Sequence, residues 1–470
     1  MAINDNELDK MIEKSREKVV NIKDKRKVRG NLSPGCWWLD NGEGKKPSFS
    51  YQLMAEYILQ EHHIVRYPNE DGELYIYNKN EGIYIMDKSH RRLKAIAYML
   101  DHVTEKNVNE VKNYILSISD VKTEVDIEYV AVKNGLVRYS DKKIIDYTPE
   151  KFLIYKIPTN YIPDAYDEFI YNTIEKASCN HAPTIANIHE IFATVLYPKG
   201  IVPKMFYLLG ISANNGKSTI LNLIRNTFDA GGQISAVSPQ RLANNNFAGA
   251  SIYGKMANIV DDMPDIEIED GGTLKTVITN GWIEVEKKNK DSFSAKVQTP
   301  FITASNHYPK FKEQGNQINS RLHIIPFEHD FLKDEDYMPE MESAKKIDSE
   351  SAKEYVLKLA FDSLALMLQR EKEILTPNDR TDEAMEIFKE QSNPLSEYFA
   401  VRDKEFFVTR PWNNIYINYQ DWAKRNLYKI PVERSMFKTI VMNEYDLDFK
   451  KQVRFLISGE WVNRAGFKEK

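Results

Sequence analysis

Two cysteines in 470 residues, Cys36 and Cys179, give the chain no disulfide framework, and two thiols alone cannot complete a tetrahedral zinc site. They read as ordinary reduced thiols of a cytoplasmic protein. No apolar run approaches the ~20 residues that a membrane span needs. The nearest, over 355–368, is broken by Lys358, Asp362 and Ser363. The first residues are charged from Asp5 onward, so no signal-peptide core is expected there. Positive charge is not in excess: 64 Lys and Arg against 69 Asp and Glu give a net charge of -5. Any contact with nucleic acid must therefore rest on local basic patches. What is present, 42% hydrophobic and 28% charged residues, is the balance of a globular chain. Its length suits about two to four domains.

The chain is organised around residues 205–224, MFYLLGISANNGKSTILNLI. The apolar run 205–209 predicts a buried strand. A polar loop bounded by Gly210 and Gly216 comes next, and Ile220, Leu221, Leu223 and Ile224 start a helical apolar face. Strand, glycine loop, Lys-Ser and helix is the layout of a P-loop. In that layout backbone N–H groups and the helix N-terminus receive phosphate oxygens. Lys217 would neutralise the β and γ phosphates, and the Ser218 hydroxyl would hold Mg²⁺. Five residues separate Gly210 from Gly216, where the common spacing has four. Either the loop is one residue longer, or Ile211 stands in the first glycine's place.

Three further signals lie downstream, in order. Residues 256–260 predict a short strand that ends on the adjacent carboxylates Asp261 and Asp262. An NTPase needs one carboxylate to order Mg²⁺ and another to polarise water. The strand within 299–309 ends in Asn306, a side chain suited to a γ-phosphate or an attacking water. Arg321 stands just before the apolar strand of NSRLHIIPF.

Taken in this order, the four signals resemble the superfamily 3 helicases, an AAA+ group. More narrowly they are similar to the poxvirus, phage and plasmid primase-helicase type found in phages and mobile genomic islands. The resemblance covers about residues 50–470 and implies an α/β fold. It comprises an AAA+ P-loop NTPase core (199–375), a charged arm and loop (1–48), an N-terminal α/β domain (49–165), a helical oligomerisation segment (166–198), and a linker with a C-terminal winged helix (376–470). It implies ATP and Mg²⁺ as ligands. Gly210, Asn214, Asn215, Gly216, Lys217, Ser218 and Thr219 would bind the nucleotide, with Ser218 and Asp261 at the metal. Asp261 and Asp262 would be the Walker B pair, Asn306 the sensor and Arg321 the arginine finger. Relatives often carry two adjacent arginines at that place; here Ser320 precedes Arg321.

The remaining segments read more plainly. Residues 1–30 contain a charged helix with a basic end, either an arm for DNA or a partner, or a solvated helix. Residues 31–48 are glycine- and proline-rich loop. Helices are expected over 51–60, 91–101 and 110–118, with a hairpin over 74–85 and strands from 130 to 165. This region lacks the carboxylate set or zinc knuckle that a primase module needs, so primase activity is not expected. Between the carboxylates and Asn306, two strands flank a polar turn carrying Lys287, Lys288 and Lys290. The resemblance implies a loop there that grips a strand backbone, and clustered lysines on a hairpin tip suit phosphate contacts. A long helical stretch is expected over 346–372 and a further helix over 384–391. Three helices and a β-hairpin would end the chain, with 434–445 as a recognition helix. Lys450, Lys451, Arg454 and Arg464 would meet backbone from the wing. A protein-binding tail is the other reading of that segment.

The expectation is an ATP-driven ring helicase, a hexamer moving 3′ to 5′ by resemblance, on single-stranded and forked DNA, with duplex origin DNA as a partner of the tail. Two other classes stay open. One is an origin-binding initiator whose ATPase governs assembly. The other is a P-loop switch with no motor.

Overall fold

A computed structural model describes residues 32–67, 73–245, 247–268, 271–286, 292–311, 316–392, 395–426 and 432–470. The expected N-terminal helix over 1–30 and the lysine turn 287–291 lie outside the described residues. The chain divides into two units. One takes Met1–Ile170, Asn222–Ile234 and Glu340–Gln369; the other takes Tyr171–Leu221, Ser235–Pro339 and Arg370–Lys470. No helix among the described residues is long and apolar enough to cross a membrane.

In the first unit, β1 (Trp38–Leu39) and β2 (Ser48–Phe49) pair antiparallel around the glycine-rich loop. The helix Tyr51–Glu61 starts where the Ser50 side chain accepts the Leu53 N–H. Strands β3 (Ile64–Arg66), β4 (Leu74–Asn78), β5 (Ile83–Met86) and β6 (Asp120–Val121) form a sheet of order β5-β4-β3-β6. Alternation along β4 serves two cores. Leu74 and Ile76 join Met54, Ile58, Val111 and Ile115 of the helices, while Tyr75 joins Tyr84 and Phe152. The helix Glu105–Ile118 begins five residues before its expected start of 110, because Thr104 caps it.

A meander comes next: β7 (Tyr129–Val132), β8 (Gly135–Arg138) and β9 (Ile144–Ile145). Gly135 lies at φ +146, and a Cβ there would fall 2.7 Å from the Ile145 carbonyl oxygen. The strands expected onward to 165 do not form. A single isolated bridge, Ala131 to Lys156, stands in their place, because Pro149, Pro158 and Pro163 cannot donate to a ladder. The single helix expected over 346–372 is two, Glu340–Ile347 and Glu350–Met367, with Ser349 capping the second. The tyrosine-rich strip packs on the latter: Tyr161 and Phe361 rings lie 4.5 Å apart.

The second unit is built on a sheet of β10 (Met205–Leu209), β11 (Ile234–Ser235), β12 (Ala257–Val260), β15 (Phe301–Ser305) and β16 (Leu322–Pro326), in the order β11-β12-β15-β10-β16. The β12-β15, β15-β10 and β10-β16 pairs are all parallel. Both faces of β10 are covered, which explains its unbroken apolar run. β13 (Trp282–Val285) and β14 (Phe293–Lys296) pair antiparallel, as the two strands expected to flank the lysine turn. The helix Asp379–Ser392 is longer than its expected span of 384–391 and packs Ala384 and Phe388 into the sheet's core.

The helix Ala182–Leu196 carries polar residues inward. Glu190, 2% exposed, accepts from Arg370 Nη1 at 2.6 Å, the Thr376 N–H at 2.9 Å and Asn187 Nδ2 at 2.8 Å. Asn187 Oδ1 accepts from Asn378 Nδ2 at 2.8 Å and lies 3.2 Å from His323 Nε2 on β16. These bonds satisfy buried groups that would otherwise oppose folding.

Among the described residues the tail has four helical segments, not three: Ser396–Ala400, Lys404–Val408, Trp412–Arg425 and Arg434–Glu444. Then β17 (Leu447–Ile457) and β18 (Glu460–Glu469) form a hairpin, bulged between Lys450 and Val453. The core of this tail is aromatic, with Tyr419 and Phe437 stacked at 4.4 Å.

Burial pushes the His323 imidazole down to about 3, so it is neutral in the folded chain. Unfolded, it would titrate near 6.5. The unfolded state binds the extra proton between these values, so this contribution to stability is complete above about pH 6.5 and is lost as pH falls toward 3. Urea unfolding between pH 7 and 5 should show His323→Phe flattening the slope by up to one proton, about 1.4 kcal/mol per pH unit.

Candidate functional site

β12, β15 and β10 are parallel neighbours, so the segments leaving their C-terminal ends lie on one edge of the sheet. The loop 210–216 leaves β10, Asp261 and Asp262 leave β12, and Asn306 leaves β15. Two hydrogen bonds join these segments. Lys217 Nζ donates to Asn306 Oδ1 at 3.0 Å, and the Ser218 hydroxyl donates to Asp261 Oδ1 at 3.2 Å.

Lys217 opens the helix Lys217–Phe228 and is only 8% exposed. Its ammonium also donates to the Gly210 carbonyl at 3.0 Å and Asn215 Oδ1 at 2.9 Å. An ammonium has three protons, and these three acceptors use them. Burial pushes its pKa down from the usual lysine range, while the carboxylates of Asp261 and Asp262 pull the other way. Asn215 is itself anchored, its Nδ2 donating to the Ser212 carbonyl at 2.6 Å.

The loop's spacing has a structural answer. A Cβ on Gly210 would lie 2.0 Å from Asn215 Nδ2 and 2.7 Å from Lys217 Nζ. Ile211 is 79% exposed. Gly210 therefore makes the close approach, and the loop is one residue longer than the common form. Asn214 at φ +57 and Gly216 at φ +89 turn the chain into the helix. Thr219 is half-buried in its first turn. Phe331, which no sequence periodicity singles out, backs the loop: its N–H donates to the Asn214 carbonyl at 3.0 Å. Asp262 is held at φ +53, a costly conformation for a non-glycine residue.

Arg321 is elsewhere. It precedes β16, and its carbonyl accepts the Met205 N–H at the start of β10. The P-loop-like segment leaves β10 at its other end, five residues on, or about 16 Å at the usual strand rise. The structure thus gathers Lys217, Ser218, Asp261 and Asn306 and sets Arg321 at the opposite edge.

Of the DNA contacts expected in the tail, Lys450, Lys451 and Arg454 lie on β17 and Arg464 on β18. Lys450 pairs with Asp448 at 3.1 Å, Lys451 is exposed at the bulge, and the Arg454 guanidinium lies 5.0 Å from the Trp461 ring centroid. Arg464 is exposed on β18. Lys287, Lys288 and Lys290 lie outside the described residues.

Residues 51–189 match the family described as "D5 N terminal like". Residues 208–321 match a family of unknown function, DUF5906, and that span contains the loop, both aspartates, Asn306 and Arg321. No curated protein matches the chain. Among solved structures, an apo A form of the NrS-1 C-terminal region superposes with a TM-score of 0.52 at 14% identity, over 88% of this chain and 97% of that one. A second apo structure of that region gives a TM-score of 0.49 at 15% identity, over 88% and 97% of the two chains.

A Cβ on Gly216 would meet Phe331 Cε2 at 2.9 Å and Ala177 Cβ at 3.1 Å, in a backbone conformation that side chains resist. Gly216→Ala should lower unfolding stability by about 1–3 kcal/mol in chemical denaturation, whereas Asn214→Gly should leave it nearly unchanged.

Proposed function

We propose that the chain is an ATP-driven DNA helicase that assembles as a ring, a hexamer by its resemblance to superfamily 3, and serves replication of a phage or mobile element. The observation that carries this reading is the meeting of Lys217, Ser218, Asp261 and Asn306 at one edge of the parallel sheet. The strand order also supports an AAA+ core, because β15 is inserted between the loop strand and the carboxylate strand.

In this reading the Lys217 ammonium exchanges its present acceptors for phosphate oxygens. Asn306, released from Lys217, faces the γ-phosphate or the attacking water. Asp262 polarises that water. Mg²⁺ fits the oxygens of Ser218 and Asp261, which already lie 3.2 Å apart, and when bound it would neutralise phosphate charge. No group of three or more His, Cys, Asp or Glu among the described residues could hold a metal ion, so phosphate and water would complete its shell. Arg321, remote from the loop of its own chain, would serve the nucleotide of a neighbouring copy. Lys287, Lys288 and Lys290 would grip one strand by its phosphates, and hydrolysis would move them.

The helices and hairpin of the tail favour a second reading, an initiator that binds duplex origin DNA and uses ATP for assembly. It differs in one measurable respect: sequence-specific duplex binding would survive Lys217→Ala and weaken on deletion of 392–470.

Lys217→Ala should reduce ATP hydrolysis to background with the fold intact; unchanged turnover sinks the assignment of the loop. Arg321→Ala should bind nucleotide normally yet lose about a thousandfold in turnover. Partial recovery on mixing the two variants would support a shared site. On a forked duplex, only the intact protein should separate strands, while Lys217→Ala and Lys288→Ala/Lys290→Ala should not.

A further inference from the structure

The two strands of the terminal hairpin are joined by Ser458 at φ +52 and Gly459 at φ +87, a tight turn whose twist suits an antiparallel pair. The two faces of the hairpin differ in what they cover. Phe455 is 3% exposed, and its ring lies where a side chain on residue 466 would stand: a Cβ on Gly466 would fall 2.3 Å from Phe455 Cζ. One face is thus folded down onto the hairpin itself.

The other face carries Ala465 and Phe467 into the tail's core at its base and is exposed only toward the tip. Leu456 and Trp461 are cross-strand partners, 58% and 60% exposed. Arg454, two residues before Leu456 and so on the same face, holds its guanidinium 5.0 Å from the Trp461 ring centroid. Asn463, the partner of Arg454, completes the patch. The one acid at the tip, Glu460, pairs with Ile457 in the ladder and so belongs to the opposite face. Residues 447–470 carry six Lys or Arg against three Asp or Glu, in a chain whose net charge is -5. Among the described residues, Lys451, Arg454, Arg464 and Lys468 have no carboxylate within ion-pair distance.

An exposed indole with an arginine on it, on a hairpin whose opposite face carries the unpaired Arg464 and Lys468, has the chemistry of a surface for unpaired bases. Every base has a π-face for the ring, while the cations meet its phosphates. A duplex offers stacking only at an end or a junction, so such a surface favours single strands. We propose that Trp461, with Leu456 and Arg454, forms a base-stacking site for single-stranded DNA on the tip of the terminal hairpin. This site is additional to the backbone contacts expected of the wing. It rests on the reading that the protein acts on DNA, but not on ATP hydrolysis.

Binding of a fluorescent oligothymidine to the full chain, followed by anisotropy without nucleotide, tests it. Trp461→Ala should weaken binding roughly 5- to 150-fold, the range for loss of one base–aromatic stack. Trp461→Phe should keep most of the affinity, and Trp461→Leu, apolar but unable to stack, should behave like the alanine variant. Basal ATP hydrolysis should be unchanged in all three. Equal binding by intact protein and Trp461→Ala overturns the proposal and leaves the helicase reading standing. Full affinity in Trp461→Leu overturns it too, since plain apolar contact then suffices. No oligothymidine binding by the intact protein removes both. If Trp461→Ala changes only the mass of the assembly in light scattering, the patch is covered by a second copy and the proposal fails.

Discussion

The Lys217 ammonium is the point on which the second unit's edge depends. It joins the start of the loop at Gly210, the end of the loop at Asn215 and the end of β15 at Asn306. A buried cation is stable there because each proton has an oxygen and because two carboxylates stand nearby. The loop is consequently closed on its own lysine. A ligand that recruits this lysine must offer at least as many acceptor oxygens as it removes, which a polyphosphate does and a simple carboxylate does not. The glycine at 210 is a product of the same interaction, since any side chain there would occupy the space of Asn215 and Lys217.

Much of this edge is legible in the sequence because its signals are local. An apolar run, a glycine-bounded loop and a helical period adjoin one another, and the aspartates and Asn306 each terminate a short apolar strand. Parallel pairing then does what the sequence cannot display: it puts three strand ends, nearly a hundred residues apart, side by side. Signals carried by capping are harder to read. Thr104 and Ser349 set helix starts that apolar spacing alone places elsewhere. The span 149–165 reads as strand from its tyrosines, but its prolines decide the matter.

The buried network of the helix Ala182–Leu196 is not legible at all. Thr184, Asn187, Glu190 and Thr194 look like the polar face of an amphipathic helix, yet all four are buried. Their partners Arg370, Thr376 and Asn378 are almost two hundred residues away, and only the folded chain brings them together. Phe331 is a similar case. Its value lies in one backbone hydrogen bond and in the space beside Gly216, neither of which leaves a pattern in sequence.

If Arg321 serves a neighbouring copy as proposed, the parallel direction of β10 and β16 would have a consequence for assembly. A loop at one edge and an arginine at the other are two different surfaces of one chain, so copies that share sites must join head to tail. Such a contact is not satisfied by a twofold dimer. An open row always leaves one loop without an arginine and one arginine without a loop, whatever its length. Only a closed circle matches every donor with an acceptor, and closure itself would then be the event that completes the last site.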